Sequence, residues 1–181
     1  MEKTKQSSNV KIQKICVTGL MAAVICVFTA FVKFNTGIND GYLHFGDSMI
    51  YLAGTLLGPW ASLAAAIGGA LADIISGAPQ WAPATAVIKA LNAVPFILMA
   101  SAYKKKHNKR KIISWYTVPM VIVSGLITIF GYLLAEGIMY SFPTAWLSAQ
   151  FSVIQAIGSA IIFIIVGLAL DGAKITKFIK W

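Results

Sequence analysis

GYLHFGDSMIYLAGTLLGPWASLAAAIGGALADIISGAPQWAPATAVIKALN, residues 41–92, decides how the rest of the chain is read. Its three apolar segments each carry a polar group near one end: Asp47, then Asp73, then Lys89 with Asn92. An ionisable group in hydrocarbon costs at least about 2.5–3.5 kcal/mol on insertion scales, so such groups turn to the protein interior and mark a binding site or a pathway. The stretch therefore reads as the wall of a solute pocket that opens on the outer face of a membrane.

Composition agrees. Of 181 residues, 58% are hydrophobic and 12% charged, and the mean hydropathy is +0.77, too apolar for a soluble domain of this length. A net charge of +9 would suggest a polyanion partner in a soluble protein. Here the basic residues collect in three short segments beside apolar runs, and no nucleic-acid partner is expected. Cys16 and Cys26 lie ten residues apart in one apolar run, roughly 15 Å along a helix and too far for a disulfide. No cleavable signal is expected, because residues 1–14 are polar and the run that follows is long enough to be a retained span.

Working outward from the central stretch, six spans emerge, an all-α bundle. Residues 1–14 form a basic tail, 15–33 the first span, 34–47 a turn-rich outer loop, and 48–57 a second span of only about ten apolar residues. Gly58 and Pro59 turn the chain into the third span, Trp60 to Ser76, whose Ala61, Ala64, Ala65, Gly68, Gly69 and Ala72 permit close helix contact. Residues 77–82 form a second outer turn. Pro83 opens the fourth span, which runs to about Ala102 with a kink expected near Pro95. KKKHNKRK, residues 104–111, joins it to a fifth span over 116–136, and a third outer loop at 137–146 leads to the sixth span over 147–170. The membrane domain thus covers 15–172, with basic tails at 1–14 and 173–181.

Lys and Arg number four in the N-terminal tail, six in KKKHNKRK and three in the C-terminal tail, while the opposite loops hold none beyond Lys33. The positive-inside rule then places both termini in the cytoplasm of a bacterial cytoplasmic membrane protein. KKKHNKRK reads first as that topology signal, with binding of anionic lipid or of a partner as the other reading.

With this topology, Asp47 stands at the outer end of span two, Asp73 about a turn below the outer end of span three, and Lys89 nearly two turns below that of span four. These depths differ by no more than a lysine's reach, so Asp73 is expected to pair with Lys89. Thr85, Lys89 and Asn92 share one helix face; Ser148, Ser152, Gln155 and Ser159 repeat the pattern on span six, and Thr128, Tyr132 and Glu136 on span five. Polar glue between helices is the competing reading of these stripes. Tyr42, His44, Phe45, Trp81, Tyr140 and Trp146 gather on the same side. Trp146 fits an interfacial belt, whereas Trp81 and Tyr42 fit stacking on a planar ligand equally well. His44 is a further candidate for ligand contact, and with His107 it makes no metal site. The expected solute site is therefore Asp47, Asp73, Lys89 and Asn92, with Trp81 and Tyr42 as walls and His44 and Gln155 beside them. No phosphate-binding G-x-x-x-x-G-K-[ST] loop, zinc motif or nucleophile elbow occurs, and neither an enzyme activity nor a cofactor is expected.

Gly46, Asp47, Gly54, Gly58, Pro59, Ala72 and Asp73, followed by Pro83, Ala84, Thr85 and Lys89, give a pattern GD...G...LGP...ADIISG...PAT...IKAL. Over residues 12–172 it resembles the substrate-binding S components of energy-coupling factor (ECF) transporters, closest to the branch for riboflavin, pyridoxine or hydroxymethylpyrimidine-type solutes. The resemblance implies a six-helix bundle that captures a vitamin under its outer loops. It also implies docking on a membrane-embedded coupling protein that carries two cytoplasmic ATPases. A small-residue A-x-x-x-A motif on helix one makes that contact in the family, and Gly19 and Ala23 stand at the matching positions. From spacing alone, Gly19 and Ala23 fit packing inside the bundle as well as docking. A stand-alone ion-coupled carrier using Asp73, Lys89 or Glu136 is the alternative function, and a membrane scaffold without a solute a remote third.

Overall fold

The computed structural model of the chain describes residues 2–40 and 42–177, with side chains from Val10 on. Gly41, Lys180 and the side chains of Lys3 and Lys5 fall outside the described residues. Six α-helices and one small hairpin make the fold: α1 (Glu2–Ala30), β1 (Lys33–Asn35), β2 (Tyr42–His44), α2 (Gly46–Leu57), α3 (Trp60–Ile75), α4 (Ala82–His107), α5 (Thr117–Met139) and α6 (Phe142–Gly172). Among the described residues, four stretches are long and apolar enough to cross a membrane: Val10–Ala30, Pro79–His107, Thr117–Met139 and Phe142–Gly172. Their outer faces carry exposed Leu20, Leu98, Phe130 and Ile165, a surface suited to lipid.

The two shorter helices explain the interior. At 12 residues, α2 is about 18 Å long, well short of a straight 30 Å core. Eleven of its residues are buried, because it lies among α1, α3, α4 and α6 as the central strut of the bundle. Gly58, at φ 61°, ends it and returns the chain into α3. The small-residue surface of α3 packs on both sides: a Cβ at Gly68 would stand 2.5 Å from the Ala22 carbonyl of α1, and one at Gly69 3.0 Å from Lys89 Cγ and Thr85 Cγ2 of α4.

Several boundaries differ from the sequence reading. The expected outer loop over 34–47 contains the antiparallel pair β1–β2, in register Lys33 with His44 and Asn35 with Tyr42. The N-terminal basic segment continues α1 back to Glu2. The fourth helix runs past Ala102 to His107, where Asn108 takes a left-handed φ of 49° and its N–H bonds the Lys104 carbonyl. Lysine is a good helix former, and cations near a helix C-terminus are favoured by the macrodipole. α4 also runs through the buried Pro95 as one helix, with Ser62 and Ser124 donating to the Ala90 and Asn92 carbonyls at 3.0 and 2.9 Å. The expected third outer loop, 137–146, shrinks to Tyr140 and Ser141: α6 begins at Phe142, with Ser141 as its N-cap and Pro143 in its first turn, a helix start rather than a loop.

Candidate functional site

The site begins with two charges that have left water together. Asp47 enters in the first turn of α2 and Lys89 projects from α4, and Lys89 Nζ lies 2.6 Å from Asp47 Oδ1 with both side chains fully buried. The second carboxylate oxygen accepts from Gln155 Nε2 of α6 at 3.1 Å and from Thr128 Oγ1 of α5 at 3.4 Å. Asn92, one turn from Lys89, donates to Thr128 at 3.1 Å. The lysine ammonium also sits 4.9 Å from the ring centre of Tyr132. Four helices thus converge on one buried ion pair, the carboxylate held by Lys89, Gln155 and Thr128 and the ammonium by Asp47 and the face of Tyr132, and such contacts offset part of the cost of taking two charges out of water. The expected Asp73–Lys89 pair does not form. Asp73 instead accepts a hydrogen bond from the Tyr42 hydroxyl.

Next to this pair opens a cavity of about 570 Å³, open solvent included. Gln155 joins the two: its amide oxygen accepts from the His44 N–H at 3.3 Å while its amide nitrogen holds Asp47. Tyr42, His44, Asp73, Trp81 and Gln155 line the cavity as the sequence suggests. Asp47, Lys89 and Asn92, each with no exposed surface, are not among its lining residues and form the polar floor behind it. The sequence reading left Thr85, Tyr132, Glu136, Ser148 and Ser152 outside the site set, although it recognised their stripes; all of them line the cavity. Phe151 and Asp40 line it too, and no polar periodicity marks either one. Trp81 stands 5.9 Å from Tyr132 and 6.0 Å from Tyr140, ring centre to ring centre, so the α4–α5 side of the cavity is an aromatic wall. Trp146, 69% exposed, faces outward.

The turn between β1 and β2 reaches across to the helices around the cavity. Asn39 donates its amide to Glu136 at the end of α5 and accepts from Trp81 Nε1 at 3.2 Å through its carbonyl, and Gln80 donates to Asp40 at 3.3 Å. Glu136 is shared with Ser148 of α6, at 2.7 Å. Gly37, Asn39 and Asp40 have positive φ values of 76°, 49° and 56°, which fold the turn sharply enough to bring it back over the helices.

His44 is buried at the hairpin end, and loss of hydration, together with the Lys89 charge, holds its imidazole down to about 3 against the opposing pull of Asp47. Its Nδ1 accepts from the Gly46 N–H at 3.1 Å, so the neutral ring is the one the fold uses. An unfolded histidine titrates near 6.5. Above that pH the neutral ring contributes its full stability; as pH falls from about 6.5 toward 3 the unfolded chain takes up a proton that the fold refuses, and stability is lost. The melting temperature is expected to drop over this window, and less steeply in His44→Asn, whose amide oxygen replaces the acceptor without titrating. Identical pH profiles for the two proteins would contradict this assignment.

Residues 9–172 match the family model for "ECF-type riboflavin transporter, S component". An "Uncharacterized protein in gap 3'region" of Pyrococcus woesei is 31% identical over 139 residues, covering 76% of this chain and 88% of that protein. A "UPF0397 protein" of Lactiplantibacillus plantarum is 30% identical over 125 residues, covering 66% of this chain and 64% of its own length. No solved structure matches the chain. With a buried polar floor, an aromatic-walled cavity beside it and a family match over nearly its whole length, the chain belongs to the ECF-type riboflavin transporter S component family and is a substrate-binding membrane subunit of a transport system rather than an enzyme.

Proposed function

We propose that this chain captures a planar, water-soluble vitamin or precursor of the riboflavin, pyridoxine or hydroxymethylpyrimidine class at the outer face of the bacterial cytoplasmic membrane. Riboflavin is the first candidate, from the family match. The observation that carries the proposal is the cavity itself: the aromatic rings of Trp81 and Tyr132 share its lining with the polar groups of Asp73, Glu136 and Gln155, the mixture of stacking surface and few placed polar groups that such ligands need. The hairpin turn held by Glu136 and Trp81 covers the solute once it has entered. Both termini and KKKHNKRK lie in the cytoplasm by the positive-inside rule, with α2 and α3 as the two short spans.

In this proposal the energy comes from a separate module, a membrane coupling protein with two ATPases. Support lies on α1, where Ala22 and Ile25 face α3 while Gly19 and Ala23 remain on the exposed side. The stripe is thus free of the bundle and open to a partner helix. The ion-coupled carrier has less support, because Lys89 is held by Asp47, Asp73 by Tyr42, and Glu136 by Asn39 and Ser148. Uptake into vesicles that lack any ATPase, abolished by an uncoupler, would favour that carrier.

The cavity assignment is tested by Trp81→Ala. Loss of the ring is expected to weaken solute binding by on the order of 10- to 100-fold, the range of a truncated aromatic anchor, measured by equilibrium dialysis on folded protein. Unchanged affinity would place the solute elsewhere.

A further inference from the structure

A second cavity lies at the other end of the bundle, and nothing in vitamin capture uses it. It is an open recess of about 890 Å³, open solvent included, lined by Lys14 of α1, Lys104 at the end of α4, Arg110 and Lys111 of the loop that follows, and Trp60 at the start of α3. No acidic residue lines it among those described. Asp171, the acid bound to the neighbouring loop, has both oxygens engaged by the Ile112 and Ile113 N–H groups at 2.9–3.2 Å. Arg110 lies against the last turn of α2, its Nη1 donating to the Leu56 carbonyl at 3.4 Å. Lys14, Lys104 and Lys111, from three separate segments, therefore converge on one recess with no acid among its described lining residues.

We infer that this recess binds the phosphate of an anionic phospholipid headgroup. Two features favour lipid over a soluble anion. Lys14 is followed by exposed Ile15, and Trp60, 37% exposed, is followed one helical turn on by exposed Leu63, so the recess continues onto apolar helix faces suited to acyl chains. Trp60 is also the residue type that settles at the headgroup level. Basic pockets between transmembrane helices hold anionic headgroups by this combination of charge and apolar flank. Lys105, Lys106 and Lys109 belong to the same basic run yet do not line the recess, which separates a site from a general attraction.

Native mass spectrometry of the full chain, released from micelles holding equal amounts of phosphatidylglycerol and phosphatidylcholine, tests the inference. Phosphatidylglycerol adducts are expected to dominate. Lys14→Gln/Lys104→Gln/Lys111→Gln is expected to lower their occupancy about tenfold, while Lys105→Gln/Lys106→Gln/Lys109→Gln, with the same loss of charge, changes it less than about twofold. An equal fall in both triples, or equal retention of the two lipids, overturns the site. Full displacement of phosphatidylglycerol by millimolar inorganic phosphate overturns the lipid assignment in favour of a soluble anion. If the first triple does not fold, Lys14→Gln/Lys111→Gln against Lys105→Gln/Lys109→Gln makes the same comparison.

Discussion

Lys89→Met is expected to destabilise the fold by on the order of 3–5 kcal/mol, because it strands the Asp47 carboxylate without its counter-charge in a site closed to water. The cost belongs to the stranded charge more than to the lost attraction, since two ions taken from water recover little beyond their own desolvation. Asp47→Asn/Lys89→Met should therefore regain most of the loss: the asparagine oxygen still accepts from Gln155, and no charge is left buried. Thermal unfolding in detergent of the wild type, the single variant and the double variant measures this. A double variant as unstable as Lys89→Met alone would mean that the ion pair is not what holds α2, α4, α5 and α6 at this point. Solute affinity should also fall in Lys89→Met, because the pair anchors Gln155 and, through it, the His44 end of the hairpin.

Gly19→Leu/Ala23→Leu is expected to abolish uptake in cells while leaving solute binding by the purified protein within about twofold. Neither residue belongs to the buried core, and a Cβ at Gly19 meets nothing within 4 Å, so two leucines there leave the bundle's packing alone. What they remove is the smooth surface that lets another helix approach closely. Uptake at the wild-type rate would refute docking through this face; loss of binding would show instead that the stripe serves the bundle.

Much of this could be read from the chain before any coordinates, and the failures share a cause. Apolar runs and the turn signals between them located all six helices, and the polar positions on α4, α5 and α6 stand out because each recurs on one face. Depth along a span was the weak point. Asp47 and Asp73 both fall within reach of Lys89 by that measure, and the choice between them depends on α2 being drawn into the middle of the bundle, which leaves Asp47 behind the cavity and Asp73 in its wall. A helix of 12 residues gives no sign in sequence of whether it spans, tilts or sits inside. The hairpin was missed because three-residue strands carry too little pattern, and Phe151 because one aromatic on an apolar helix resembles any other. Ser141 followed by Pro143 is a helix-start signal in the sequence itself, and it places the start of α6 five residues ahead of the expected span.

The most direct measurement is a titration of the purified chain's tryptophan fluorescence with water-soluble vitamins and precursors, riboflavin first. With Trp81 in the cavity wall, saturable quenching by one planar compound at one-to-one stoichiometry, lost in Trp81→Ala, is the predicted result. A flat response to every compound, from protein that melts cooperatively, would contradict the claim that this cavity is built to capture such a solute.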